Sequence, residues 1–252
     1  MASDVCAPVP QRLDADPAYE RFLRERRVEV LGRLGEAARR SGRRIGDVDV
    51  VAVSKTVGPE AVLAATGAGY EGFAENRPQE LVRKLSAFEA AGLEAPRFDM
   101  IGNLQTNKVN QVLGRVRLIQ SISSAHLAEA VSKRAERDGH VEAVLLECNV
   151  SGEESKGGFS PAGVREALDG LMGLRGLRIE GLMTMAPAHD ASAARATFSG
   201  LRDLAEELRV ASGLALSTLS CGMSDDFGIA VEEGSTLVRL GRIVFSPDYV
   251  LS

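Results

Sequence analysis

Short apolar runs alternate with amphipathic stretches along most of the chain. Residues 50–54 are small or β-branched, which is typical of a strand that is buried on both faces. Residues 59–66 and 76–91 then place apolar side chains at helical spacing, and this change of period repeats as far as residue 240. The eight predicted strands are residues 50–54, 70–74, 97–101, 116–121, 141–149, 177–183, 216–220 and 236–240.

Eight strands that alternate with helices predict one parallel sheet, and about 235 residues is the size of a closed (β/α)8 barrel. An open doubly wound sheet is the alternative, but SKTVGPE after the first strand lacks the GxGxxG turn of that fold. The pattern therefore favours an α/β fold, a (β/α)8 TIM barrel, as a single domain over residues 18–252 with an extra helix at residues 19–40. We also expect a helix through Leu113 after the third strand, and a helix capped by Ser124 after the fourth.

Composition narrows the class of protein. Of 252 residues, 44% are hydrophobic and 26% are charged, which is typical of a soluble globular protein. The formal net charge of −5 argues against a nucleic-acid partner, and no apolar run approaches the roughly 18 residues of a membrane helix. Three cysteines without metal-ligand spacing predict reduced thiols and a cytoplasmic protein without a metal site. Residues 1–17, with three prolines and three aspartates, are expected to form a disordered tail.

Polar residues follow the apolar runs where a barrel of this kind places its reactive groups, at the carboxyl ends of the strands. Lys55 follows the first strand and Asn76 follows the second. A lysine that is desolvated at a buried strand end should have a lowered pKa and a nucleophilic amine. The alternative for Lys55 is a side chain that reaches from the strand end into water.

Small residues after the last two strands could bind a phosphate group. Gly222 and Gly241 would let backbone N–H groups approach it closely, and Ser220 and Ser224 would add hydroxyl donors. The alternative is that these residues only turn the chain.

A lysine, a phosphate site and an arginine on a neighbouring strand are what a pyridoxal 5′-phosphate (PLP) site requires. Lys55 would form the Schiff base, and Arg239 would face the pyridine nitrogen. Because a guanidinium does not readily release a proton, Arg239 would leave that nitrogen unprotonated and make the ring a weaker electron sink. A salt bridge from Arg239 to a buried carboxylate is the alternative.

Seven segments resemble one known family. They are VAVSKT (51–56), FAENRPQELVRK (73–84), FDMIGNLQTNKVN (98–110), ECNVSGEESKGGF (147–159), GLMTMAP (181–187), LSCGMSDDF (219–227) and GSTLVRLGRIVF (234–245). On these segments the chain resembles the pyridoxal phosphate homeostasis protein family, single-domain relatives of the alanine racemase barrel. The resemblance implies a fold-type III PLP-binding barrel. The cofactor-binding residues it implies, together with those predicted from the loops, are Lys55, Asn76, Met183, Ser220, Gly222, Ser224, Arg239, Gly241 and Arg242.

Arg242 stands where the family usually has a small hydroxyl residue, and its cation could replace that phosphate contact. The resemblance implies a cytoplasmic protein that buffers or carries PLP for vitamin B6 and amino-acid homeostasis. PLP-dependent apoenzymes are its expected recipients, and a monomer or weak homodimer is its expected state.

Two other functions remain open from the sequence. A PLP-dependent amino-acid racemase or lyase would need a second base, and the chain has only three tyrosines, Tyr19, Tyr70 and Tyr249, and no residues for an additional domain. A phosphosugar enzyme could use Lys55 in an aldolase-like Schiff base.

Overall fold

The chain folds into a closed parallel barrel, and the computed structural model describes residues 12–250. Each strand pairs with the next in chain order, and the last closes on the first. The strands are β1 (Asp49–Val53), β2 (Gly72–Glu75), β3 (Arg97–Met100), β4 (Leu118–Ile122), β5 (Glu142–Glu147), β6 (Leu177–Met183), β7 (Thr218–Ser220) and β8 (Leu237–Leu240). The helices are α1 (Pro17–Arg40), α2 (Pro59–Gly67), α3 (Pro78–Ala90), α4 (Ala125–Arg137), α5 (Pro161–Met172), α6 (Ala191–Ser212), α7 (Phe227–Glu232) and α8 (Arg242–Phe245). The predicted (β/α)8 barrel is confirmed.

Strand side chains alternate between two apolar layers, because successive residues of a strand point to opposite faces. The layer inside the barrel consists of Val51, Val53, Ala74, Leu118, Ala143, Leu145, Met183 and Leu237. The larger layer lies between the strands and the helices and includes Ala52, Phe73 and Leu182. The position of a strand residue in this alternation therefore shows whether it faces the interior or the helices.

Local chemistry sets most helix boundaries. Ser124 accepts a hydrogen bond from the N–H of Leu127 at 3.2 Å, which confirms it as the cap of α4. Proline is the first residue of α1, α2, α3 and α5, where its missing N–H costs no helical hydrogen bond. The helix expected through Leu113 is wrong, because a 3₁₀ helix, Thr106–Gln111, occupies that segment. Asparagine at 107 and 110 favours turns over an α-helix.

The extra helix α1 holds the segment that follows β8. The hydroxyl of Tyr19 donates to the carbonyl of Phe245 at 2.7 Å, and the guanidinium of Arg26 donates to the carbonyls of Ile243 and Tyr249. Arg26 is itself buried. The predicted phosphate loop after β8 is thus fixed from outside the barrel.

The predicted disordered tail, residues 1–17, lies mostly outside the described residues. In its described part, Leu13 and Ala15 pack partly buried against the core, and Pro17 already belongs to α1. The helix α1 therefore begins at the last residue of the predicted tail. Among helices within residues 12–250, none combines the length and the apolar character that crossing a membrane requires.

Candidate functional site

The structure brings the predicted residues together at the carboxyl end of the barrel. Met183, Ser220 and Arg239 occupy interior positions of β6, β7 and β8 and are all buried. Lys55 and Asn76 follow β1 and β2 at positions that continue the interior alternation of those strands. Sequence reasoning therefore identified residues at the strand ends, and the structure adds that these residues stand at interior positions.

Lys55 is exposed, so the expectation that burial desolvates its amine is wrong. Strand β1 ends at Val53, and Lys55 already lies in the turn that leads to α2. Within residues 12–250, no side-chain or backbone group forms a hydrogen bond or ion pair with its amine. The amine of Lys55 is thus available to a ligand that enters the barrel mouth.

A second lysine, Lys84, is fully buried directly beside this turn. Its amine donates to the carbonyl of Ser54 at 2.7 Å and pairs with the carboxylate of Glu75, which is also fully buried. The hydroxyl of Ser54 donates to the same carboxylate at 2.6 Å. Ser54 precedes Lys55 and Glu75 precedes Asn76, so this cluster fixes the backbone from which both site residues project.

Asn76 is also positioned by the strand on its other side. Gly102 follows β3, and a Cβ atom there would lie 2.1 Å from the carbonyl oxygen of Asn76 and 2.7 Å from its Cα. Only glycine permits this close approach of two backbones. Sequence reasoning missed both Lys84 and Gly102, although Lys84 lies three residues after Leu81 on the buried stripe of α3.

Arg239 is held by three oxygen atoms at the barrel mouth. Its Nη1 donates to the carbonyl of Ser220 at 2.8 Å and to the Ser220 hydroxyl at 2.6 Å, and its Nη2 donates to the carbonyl of Thr184 at 3.0 Å. It makes no ion pair with any residue in 12–250, so the salt-bridge alternative is wrong for this part of the chain. Burial lowers the pKa of Arg239, and the charges of Glu147 and Asp226 oppose that shift.

A guanidinium carries five N–H donors. The bonds of Arg239 to residues 12–250 use three of them, which leaves the Nε–H and one Nη2–H for a ligand. An acceptor without a proton, such as a pyridine nitrogen, matches this pair of donors.

The residues predicted to bind phosphate lie in two adjoining loops. Gly222 is buried with φ of 95°, and a Cβ there would lie 2.6 Å from that of Ala230, so the tight turn requires glycine. The hydroxyl of Ser224 accepts from the N–H of Ile243 at 3.3 Å, which joins the loop after β7 to α8. Gly241 caps α8 and lies against Val53 of β1.

Two of the predicted phosphate contacts are engaged with protein groups. The Ser220 hydroxyl accepts from Arg239 and donates to the amide oxygen of Gln120 at 2.6 Å. The guanidinium of Arg242 is exposed, pairs with Asp225 at 2.5 Å and lies 5.7 Å from the ring centre of Tyr249. Gly222, Ser224 and Gly241 therefore remain candidates for a phosphate contact.

Glu147 is a further mouth residue that sequence reasoning missed. It ends β5 at an interior position, in register with Met183, and only 8% of it is exposed. Burial raises the pKa of its carboxyl, and the charge of Arg239 opposes that rise. A charged residue that ends an apolar strand was the same signal that identified Lys55.

Comparisons with known proteins agree with this fold. The alanine racemase N-terminal domain family matches residues 31–248. The pyridoxal phosphate homeostasis protein of Aquifex aeolicus is 40% identical over 222 residues, which are 88% of this chain and 96% of the relative. The protein of the same name from Pseudomonas aeruginosa is 35% identical, over 90% of this chain and 96% of the relative.

Solved structures show the same barrel. A Bifidobacterium adolescentis protein described as unknown has a TM-score of 0.84 and 36% identity, covering 95% of this chain and 100% of its own. PipY of Synechococcus elongatus, solved with PLP bound, has a TM-score of 0.78 and 30% identity, covering 89% of this chain and 100% of its own. Alanine racemase of Clostridium difficile has a TM-score of 0.70 at 15% identity, covering 95% of this chain and 62% of its own, which is a likeness of fold.

Proposed function

The chain belongs to the pyridoxal phosphate homeostasis protein family, and we propose that it holds PLP on Lys55 as a Schiff base and buffers or delivers this cofactor. When bound, PLP supplies an aldehyde that condenses with an amine. The nitrogen of Lys55 would take the place of the aldehyde oxygen, which leaves as water.

The availability of Lys55, which follows β1, and of Arg239 on the neighbouring strand β8 carries the proposal. Lys55 has an exposed amine without a protein partner in residues 12–250, and Arg239 retains two N–H donors. Strands β1 and β8 are paired, so the two side chains belong to the same wall of the barrel. This arrangement offers a nucleophile for an aldehyde and donors for a ring nitrogen within one site.

The other residues would bind the remaining parts of PLP. Asn76 and Met183 would line the ring, and the backbone of Gly222 and Gly241 with the hydroxyl of Ser224 would bind the phosphate. Ser220 and Arg242 are predicted contacts that would first have to release their protein partners. Arg239, a poor proton donor, would leave the ring nitrogen unprotonated, which disfavours carbanion chemistry and suits a carrier.

The test is to add PLP, reduce the sample with borohydride and map the labelled peptide. The sequence contains five lysines, at positions 55, 84, 108, 133 and 156, so each candidate site can be resolved. We expect the label on Lys55, and we expect Lys55→Ala to lose the visible absorption band and the label while keeping its far-UV circular dichroism spectrum.

Two control variants sharpen this experiment. Lys55→Arg keeps the charge but removes the primary amine, and it should lose the label as well. Lys133→Ala removes an exposed lysine of α4 and should keep both the band and the label. An unchanged bound chromophore in Lys55→Ala would show that another residue holds the cofactor.

A racemase or lyase would need a second base, and the tyrosines in the described residues are poorly suited to that role. Tyr19 donates to the carbonyl of Phe245, and burial raises the pKa of Tyr70. Burial and the bond to Asp225 raise the pKa of Tyr249 to about 12. The carrier function is therefore favoured, and an assay against a panel of amino acids tests the alternative.

We further propose a cytoplasmic location, PLP-dependent apoenzymes as recipients, and a monomer or weak homodimer. Cys148 and Cys221 are buried free thiols, as expected in a reducing compartment. Transfer of PLP from the loaded protein to an apoenzyme, followed by the regained activity of that enzyme, tests delivery. Sedimentation of the loaded protein tests the oligomeric state.

A further inference from the structure

A chain of buried polar side chains crosses the barrel interior and ends on Arg239. Arg239 donates to the hydroxyl of Ser220 at 2.6 Å, and that hydroxyl donates to Oε1 of Gln120 at 2.6 Å. Nε2 of Gln120 donates to Oδ2 of Asp99, also at 2.6 Å. Arg117 donates to both oxygens of the same carboxylate, at 2.9 and 2.6 Å.

This series of hydrogen-bonded side chains links four strands of the barrel. Asp99 belongs to β3, Gln120 to β4, Ser220 to β7 and Arg239 to β8, and each is at most 4% exposed. Strands β3 and β4 are neighbours, and so are β7 and β8, but these two pairs lie on different sides of the barrel, since β4 pairs with β3 and β5 and not with β7. The side chains therefore connect elements that the backbone ladder does not.

Arg117, at the end of the series away from Arg239, decides which group donates and which accepts in each hydrogen bond of the series. The two N–H groups of Arg117 hold Asp99 as an acceptor, because a guanidinium can only donate. Asp99 then requires the amide nitrogen of Gln120 on its side, since the flipped amide would place two acceptor oxygens 2.6 Å apart. The amide oxygen of Gln120 consequently faces Ser220.

The hydroxyl group of Ser220 is oriented by these two neighbours. Its single hydrogen points to the oxygen of Gln120, so its oxygen faces Arg239 with lone pairs only. A hydroxyl that was free to rotate could turn its hydrogen towards the guanidinium and repel it. The amide of Gln120 prevents that rotation.

We propose that Gln120 is a positioning residue, which orients the Ser220 hydroxyl so that it holds the Arg239 guanidinium at the ring end of the cofactor site. This inference rests on the proposed function. It assigns Ser220 to the support of Arg239 rather than to the phosphate. It also explains why the interior of the barrel contains a connected series of polar side chains, where apolar side chains alone would fill the space without orienting anything.

The test is a double-mutant cycle on PLP affinity. The four proteins are the wild type, Gln120→Leu, Arg239→Met and the double variant, each shown to be folded by circular dichroism. Gln120→Leu should raise the PLP dissociation constant about tenfold, the order of one hydrogen bond to a charged group. In the Arg239→Met background the same substitution should change it less than twofold. Equal factors in both backgrounds would overturn the proposal.

Two further variants separate positioning from stability. Ser132→Ala removes an equally buried hydroxyl, on α4, that accepts from the N–H of Gly176. It should lower stability and leave the PLP dissociation constant within twofold of the wild type. A tenfold change in that constant would contradict the positioning role of Gln120. Ser220→Ala breaks the same chain if Gln120→Leu does not fold, and it should show the same dependence on Arg239.

A cofactor-free crystal structure of Gln120→Leu tests the positioning without PLP. The Arg239 guanidinium should move away from the Ser220 hydroxyl, and a superimposable guanidinium would overturn the proposal. If the wild type forms no adduct on Lys55, the proposed function fails, and this structure decides the role of Gln120 by itself.

Discussion

Replacing Lys84 by methionine should destabilise the fold by about 3–5 kcal/mol. Methionine has nearly the length of the lysine side chain, so the change mainly removes the charge. The carboxylate of Glu75 would then remain fully buried with only the Ser54 hydroxyl as a partner, and its Oε2 already has no partner in residues 12–250. Leaving one member of a buried ion pair alone costs about this amount.

That loss is a large part of the total stability expected for a single domain, about 5–15 kcal/mol. For a chain of this length it should lower the melting temperature by roughly 6–20 °C. Urea unfolding followed by far-UV circular dichroism measures it directly. Lys133→Met on the exposed face of α4 is the matched control and should change stability by about 0.5 kcal/mol at most.

A double variant separates the unpaired charge from lost packing. Lys84→Met combined with Glu75→Leu removes both charges, while the Ser54 hydroxyl keeps the carbonyl of Ala74 at 3.3 Å as an acceptor. The double variant should therefore be more stable than Lys84→Met alone. If the two losses simply add, or if Lys84→Met costs less than about 1 kcal/mol, the buried pair does not hold the ends of β1 and β2 as described.

Two further predictions concern the pH dependence of stability and the fit of the backbone at the site. Burial raises the pKa of Cys148 to about 12 and that of Cys221 to about 11, whereas an unfolded thiol ionises near pH 8.5. The stability from each thiol is thus present below about pH 8.5 and lost as the pH rises. Between pH 7.5 and 9.5 the free energy of unfolding of Cys148→Ala, measured with urea, should therefore fall by about 1.4 kcal/mol less than that of the wild type. Equal losses in the two proteins would contradict this. Gly102→Ala should cost at least 1–3 kcal/mol and weaken PLP binding, because its Cβ would collide with the backbone of Asn76. Gly170→Ala in α5, with open space around it, should reduce neither the stability nor the affinity for PLP. A similar loss in both variants would refute the steric explanation.

Local pattern was sufficient to predict the frame of the site. The small and β-branched run at residues 50–54 indicated a strand that is buried on both faces, and the predicted strand ends placed Lys55 and Asn76 at the carboxyl end of the barrel. Ser220 and Arg239 followed from the same reasoning at the other end of the chain. This works because the carboxyl ends of all eight parallel strands lie at the same end of a closed barrel.

Side-chain partners depended instead on how the strands are staggered and how far each side chain reaches. Lys84 lies 30 residues from Ser54, and Gln120 lies 100 residues from Ser220, so neither pair leaves a periodic signal in the chain. The exposure of Lys55 likewise depended on β1 ending at Val53, two residues earlier. The sequence by itself determined the barrel and the position of Lys55, Asn76, Ser220 and Arg239 at its mouth, while the tertiary structure decided which lysine is exposed and which is buried in an ion pair. The physical reason is that strand alternation is a local property of the backbone, whereas burial and hydrogen bonding exist only after the barrel has closed.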